Sequence, residues 1–355
     1  MLTRPRVTID LAKIARNTRR VVDALGAIAV VGVTKVTCGS PEVARAMLAG
    51  GASALGDSRL ENLERLREAG ISAPLWLLRA PVPALASEVV RLADVTLESE
   101  IETVFSLDTA ARAAGVRHHV VAMVDLGDLR EGLMADDLPV FIAAVEALAH
   151  IDLVGIGTSL TCYGGIVPDA RNLGELLAIA SQAEEILGHR LLISGGMSSS
   201  LDALIEGVLP SRIDNLRIGE SILLGVSTVT REPILGLETD AFTVSAPVIE
   251  CQVKPSKPIG TSAQDAFGGR PHFEDRGMRR RAIVSIGRQD VDPVGIVPVD
   301  PRIEVLGASS DHLVLDVDAL PSPPAIGEGV TFIPSYSATL RLFTSPYVEK
   351  LYING

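Results

Sequence analysis

The chain has 355 residues, 47% of them hydrophobic, 21% charged and only 3% aromatic, and a formal net charge of −12. That length suits one β/α barrel plus a smaller domain, with a core built mostly from Ala, Val, Leu and Ile. The acidic balance repels phosphate backbones and anionic lipid, which excludes nucleic acid and membrane surfaces as partners. The opening MLTRPRVTID lacks the apolar core of a signal peptide, and no uncharged apolar stretch reaches spanning length. A cytoplasmic protein is expected, with Cys38, Cys162 and Cys251 reduced, since their spacing suits no metal and their number is odd.

From residue 10 to 235, short Val/Leu/Ile runs alternate with helical patterns. Asp10 stands before a helix whose apolar positions Leu11, Ile14, Ala15, Val21, Val22 and Leu25 recur at helical spacing. Ser40 and Pro41 open the next helix and Gly50 closes it, while Ser99 with Glu102 has the form of a capping box and Gly115 a stop. The strand runs are AIAVVGVTKV, SALGDS, PLWLLR, DVTLES, HHVVAMVDLG, DLVGIGTSL, LLISGGMS and NLRIGESILL. Eight such units close into an α/β, TIM-type (β/α)8 barrel. After residue 235 the segments DAFTVSAPVIECQV, RRAIVSIG, RIEVLGASSDHLVLDV and VTFIPSY predict strands between Gly/Pro-rich turns, and KPSKPIGTSAQDAFGGRPHFEDRGM predicts a long irregular loop. The expected division is a barrel over 10–235 and a C-terminal β-rich domain over 236–355, joined by residues 1–9.

Four barrel segments place chemistry at the C-terminal ends of strands, where barrel active sites are built. Lys35 ends the first run, in VVGVTKVTCGS; taken alone it reads as a lysine snorkelling into solvent. In SGGMSSSLDALIEG, the glycines Gly195 and Gly196 with Ser198, Ser199 and Ser200 offer backbone N–H groups and hydroxyls to an anion, or a serine-rich helix cap. Arg217 interrupts the apolar strand NLRIGESILLG, and Arg130 follows the fifth run in VDLGDLREG, where its planar fork suits a carboxylate. Asp125 and Asp128 beside it could orient it, or serve as turn residues.

Together these segments resemble the pyridoxal phosphate (PLP) enzymes of the alanine racemase type. The phrases VDLGDLREG, GIGTSLTCYGG, SGGMSSSL, IGRQDVDP and ASSDHLVLDV are most similar to the alanine/ornithine racemase branch, nearly along the whole chain. The resemblance implies Lys35 as the Schiff-base lysine and a phosphate site from Ser198, Ser199 and the backbone N–H groups at Gly219 and Glu220, reached by the Tyr336 hydroxyl. It places Arg217 against the pyridine nitrogen, which that arginine keeps unprotonated, and Arg130 on the substrate carboxylate. It implies no metal, and a homodimer in which each site joins one barrel to the partner's C-terminal domain.

Three positions depart from the pattern. Met123 stands where some alanine racemases carry a modified lysine that supports the carboxylate-binding arginine, Ser159 where a histidine lies under the ring, and Arg288 where a catalytic tyrosine is found. The second base is therefore open among Asp290, His312 and Cys162, and Asp290, Asp311 and Ser159 join Arg130 as substrate-pocket candidates. The implied activity is interconversion of the L and D forms of a free amino acid, expected to be a basic one such as ornithine or lysine, because a carboxylate at Asp290 would pair with a cationic side chain. The alternatives are alanine as substrate, a non-catalytic PLP-homeostasis protein, and a metal-dependent aldolase or dehydratase on the same fold.

Overall fold

The computed structural model describes residues 1–354, which fall into two compact units, Leu11–Thr239 and Met1–Asp10 with Asp240–Asn354. The first strand, β1 (Arg6–Asp10), belongs to the second of these. Next come β2 (Ala29–Val33), β3 (Ala54–Asp57), β4 (Leu75–Leu77), β5 (Val95–Glu98), β6 (His118–Met123), β7 (Ile151–Gly157), β8 (Leu192–Met197) and β9 (Asn215–Ile218). Each pairs in parallel with the next and β9 pairs back to β2, closing the eight-stranded barrel that the eight apolar runs predict. The last run divides: its first four residues are β9, and Glu220–Leu224 is already helix.

Register decides which side chains enter the barrel. Val31 lies opposite Ala54 in β3 and opposite Arg217 in β9, so Arg217 shares the inward face of Val31. Val31, Ala54, Trp76, Val95, Leu97, Val121 and Met123 form one buried cluster that fills the side of the interior made by β2 to β6. The side made by β7 to β9 carries Gly155, Gly157, Ser194, Asn215 and Arg217 at the corresponding positions. Gly157 makes that possible, because a Cβ there would stand 3.1 Å from both the Ser194 Cβ and the Met123 Sδ. The interior is thus apolar around this cluster, against which Val154 and Leu192 also pack, and polar around Ser194, Asn215 and Arg217 on β8 and β9.

Helices cover the outer face, and their ends follow local chemistry with two differences from expectation. Ser40 accepts from the Val43 N–H ahead of a helix opened by Pro41, and Gly115 closes Ile101–Ala114 in the left-handed conformation. The Ser99/Glu102 pair makes no capping box, however: Glu100 precedes that helix without a side-chain cap. The reciprocal box is instead at Asp169 and Asn172, which cap Ala170–Leu187.

In the second unit the strands are β10 (Phe242–Pro255), β11 (Met278–Val284), β12 (Ile296–Pro298), β13 (Glu304–Ala308), β14 (Leu313–Asp316), β15 (Gly329–Pro334) and β16 (Glu349–Ile353). They form a sheet in the order β12-β15-β10-β11-β14-β13, with β1 set between β10 (antiparallel) and β16 (parallel). The run VTFIPSY ends as a strand at Pro334, and Tyr336–Thr344 is a helix that the strand pattern did not predict. Residues 257–277, the long irregular loop of the sequence, carry no strand or helix.

Candidate active site

The sequence-predicted barrel residues meet at one end of the barrel. Lys35 begins a short 3-10 turn, Lys35–Thr37, directly after β2. Its approach is fixed by Asp57, a fully buried carboxylate at the end of β3. Asp57 Oδ2 accepts from the Thr34 hydroxyl at 2.8 Å, and Oδ1 accepts from the backbone of Ser58 and Arg59 and from the Asn62 amide. Burial raises the pKa of Asp57 in spite of these donors. The lysine therefore leaves a backbone that two strand ends pin in place.

Near the end of β8 the chain turns at Gly196, whose φ of +113° and whose missing Cβ, which would lie 2.5 Å from Ser200 Oγ, both demand glycine. The turn delivers Ser198 and Ser199, both buried. Ser198 Oγ accepts long bonds from the N–H groups of Gly219 (3.3 Å) and Ser221 (3.4 Å), and Ser199 Oγ is buried with no hydrogen-bond partner among the described residues. A buried orphan hydroxyl beside weakly used backbone N–H groups is where an anion's oxygens gain most, and the loops after the seventh and eighth strands are the usual phosphate site of such barrels. Glu220, mostly buried, pairs its carboxylate with Arg231. Burial raises the Glu220 pKa, while the positive fields of Arg231 and Lys35 oppose the rise.

Arg217 is 4% exposed, and the partners of its guanidinium are neutral: Ser194 Oγ, the Thr158 carbonyl at 2.6 Å and Ser159 Oγ at 3.2 Å. Ser194, fully buried, donates its own hydroxyl to Asn215 Oδ1 at 2.7 Å. Burial pulls the Arg217 pKa down to about 10, with Glu131 holding it up and Arg130 pushing it lower, so the group stays charged at neutral pH. Ser194 and Asn215 were not singled out in the sequence; their signal was a polar residue at the same strand parity as Arg217. The amine at the end of β2, the hydroxyl and N–H cradle at β8 and β9, and an arginine able to donate to a neutral ring nitrogen together fit PLP.

Ser159, Cys162 and Arg130 lie on the rim loops that follow β7 and β6. Arg130 is paired through Nε and Nη2 with the carboxylate of its neighbour Glu131. Burial lowers the Arg130 pKa, but the Glu131 carboxylate and the adjacent Cys162 thiol outweigh it and the net shift is upward. The Cys162 thiol also approaches Met197 Sδ at 3.2 Å. Neither neighbouring aspartate bonds to Arg130 through the contacts it makes: Asp125 accepts from the backbone of Gly127 and Leu129, and Asp128 from that of Tyr163, Gly164 and Ile166.

The remaining candidates belong to the second unit. Asp290 is buried and Oδ1 accepts from the Ser345 hydroxyl at 2.6 Å. Asp311 and His312 are exposed at the turn between β13 and β14, where Asp311 accepts from the Ser310 hydroxyl. Tyr336 is the first residue of its helix.

Comparison with known proteins agrees with this geometry. The family described as alanine racemase, N-terminal domain, matches residues 9–227. The chain is 39% identical over 350 residues to the ornithine racemase of Acetoanaerobium sticklandii, covering 98% of this chain and 99% of that one. It is 40% identical over 354 residues to the lysine racemase of Thermotoga maritima, covering 98% of each. Among solved structures its fold resembles the alanine racemase of a D-cycloserine-producing Streptomyces lavendulae (TM-score 0.79, 20% identity, 100% of this chain and 98% of that one). It also resembles the alanine racemase of Bartonella henselae with covalently bound pyridoxal phosphate (TM-score 0.76, 18% identity, 99% and 100%). By its matched domain and by relatives aligned along its full length, the chain belongs to the alanine racemase family.

Proposed function

We propose that the protein is a PLP-dependent racemase of a free basic amino acid, ornithine or lysine, assembled as a homodimer. The observation that carries the reading is the buried Arg217, whose partners among the described residues are neutral, on the same barrel mouth as Lys35 and the Ser198–Ser199 cradle. Bound there, PLP would supply an electron sink for the pair left on Cα when its proton departs. Ser198, Ser199 and the N–H groups of Gly219 and Glu220 would hold the phosphate, with Tyr336 as the further donor implied by the family. Lys35 Nζ takes or returns the proton on one face of Cα. Arg217 cannot give up a proton near neutral pH, so it would donate a hydrogen bond to the ring of a bound PLP without protonating it, which would leave more charge on Cα and favour its reprotonation.

The opposite face needs a second proton carrier, for which Cys162, Asp290 and His312 are the candidates. Cys162 is the one within the barrel unit, beside Arg130. Arg130 receives the substrate carboxylate, and Ser159 packs beside Arg217 where the ring would lie. For the cationic side chain the acidic candidates are Asp290 and Asp311. The relatives' names support the basic substrate.

The test is chiral chromatography of L-ornithine, L-lysine and L-alanine incubated with the PLP-loaded enzyme. Ornithine or lysine is expected to racemise at least about tenfold more efficiently than alanine, the discrimination that one unpaired buried charge provides. A preference for alanine overturns the substrate class, and no racemisation of any of the three favours a carrier of PLP. In Asp290→Asn the ratio of ornithine to alanine turnover should fall; an equal loss for both removes Asp290 from the side-chain pocket.

A further inference from the structure

Two arginines face the same barrel mouth, and the carboxylate whose field reaches both belongs to a residue the sequence pattern did not single out. Glu131 Oε2 and Oε1 accept from Arg130 Nε and Nη2, which is the side-on fork of the guanidinium. An arginine has a second fork, formed by Nη1 and Nη2, and a carboxylate on the first leaves the plane of the second fixed. Asp125 and Asp128 spend their carboxylates on backbone N–H groups. Met123 is buried in the apolar cluster of the interior. Glu131 is also the strongest opposing charge felt by Arg217, whose own hydrogen-bond partners are neutral and which Arg130 repels.

We propose that Glu131 is the positioning residue of the site: it locks Arg130 through the side-on fork and turns the end-on fork toward the substrate carboxylate. This rests on Arg130 as the carboxylate receptor. A Glu131 that merely filled the place of a substrate carboxylate would have to leave before binding, and its removal would then tighten binding.

The experiment compares ligands with and without a carboxylate. The PLP-loaded parent, Glu131→Gln and Arg130→Ala are titrated with L-ornithine and with 1,4-diaminobutane, following the change in cofactor absorbance, and steady-state kinetics are measured beside them. Glu131→Gln is expected to raise KM and Kd for ornithine roughly tenfold with kcat within about threefold, and to leave the diamine Kd unchanged within about twofold. Tighter ornithine binding overturns the proposal in favour of a competing carboxylate, and equal weakening of both ligands overturns it in favour of a general structural role. Arg130→Ala should lose ornithine selectively and by more than Glu131→Gln. If it binds ornithine as the parent does, the receptor role of Arg130 has failed, which is a different result from any failure of Glu131.

Discussion

At the scale of single residues, the site is a set of polar groups placed where an apolar strand would otherwise continue. Lys35 is the amine at the end of β2, held by the Thr34–Asp57 bond. Borohydride reduction of the PLP-loaded protein followed by peptide mapping should leave the label on Lys35; a label on another lysine removes it from the mechanism. Arg217 is the second such residue. Replacing it by Glu offers the ring a group that can share a proton, so racemisation should slow and keto acid per turnover should rise. Both products are measured in one reaction, and an unchanged partition would show that Arg217 does not set it. Ser194→Ala withdraws one of the neutral anchors of Arg217 and should move the partition the same way by less.

At the scale of elements, two rim loops are stapled by one carboxylate. Asp128, 1% exposed on the loop after β6, accepts from the N–H groups of Tyr163 (3.0 Å), Gly164 (3.0 Å) and Ile166 (3.5 Å) on the loop after β7. Each loop holds a non-glycine residue with positive φ, Leu129 at 55° and Thr161 at 76°. Such conformations cost on the order of 1 kcal/mol or more apiece and persist where the surroundings over-determine them. The staple thus fixes the loops that carry Arg130, Glu131, Ser159 and Cys162. Asp128→Asn should cost on the order of 2–4 kcal/mol in urea unfolding, since charge-assisted bonds are replaced by neutral ones and an amide N–H is turned on backbone donors. kcat/KM should fall with it; a stability loss without a kinetic one would mean that the loops hold their shape unaided.

For the whole molecule, the helix-facing layer of the barrel makes stability depend on pH from both sides. Glu98, at the end of β5, is fully buried with neither oxygen hydrogen-bonded among the described residues. Burial, and then the field of Glu100, raise its pKa to about 8. Its folded pKa lies above the unfolded value, so the folded state gains below the unfolded pKa of 4.5 and loses that gain as pH rises through about 8. His118, whose ring meets the Thr96 hydroxyl, is shifted down to about 4 by burial and then by His119. Its contribution is present above the unfolded value of 6.5 and is lost as pH falls toward 4. Glu98→Gln should therefore stabilise the protein at pH 8 by on the order of a few kcal/mol and have little effect near pH 4.5. Urea unfolding at both pH values checks this, and an equal effect at both would mean that Glu98 is solvated in the folded protein.

The barrel was legible because parallel strands buried on both faces appear as continuous apolar runs, which need no partner to be recognised. Lys35, Arg217 and the serines after β8 were legible as polar breaks in those runs. What the sequence could not supply depends on register and on pairs far apart in the chain. Ser194 reaches Arg217 across 23 residues, Thr158 reaches it across 59, and Asp128 joins loops 35 residues apart. The strands β1 and β16 pair across more than 340 residues, and that pairing together with the pairing of β1 to β10 gives β1 its place in the second unit. Glu131 was hidden for a different reason: adjacent residues on an exposed loop carry no periodicity, and whether Glu131, Asp125 or Asp128 holds Arg130 is decided by which backbone N–H groups the two aspartates find first in the folded loops. Local patterning thus chose the elements and the residue types of the site, and tertiary contact chose which of those residues act on one another.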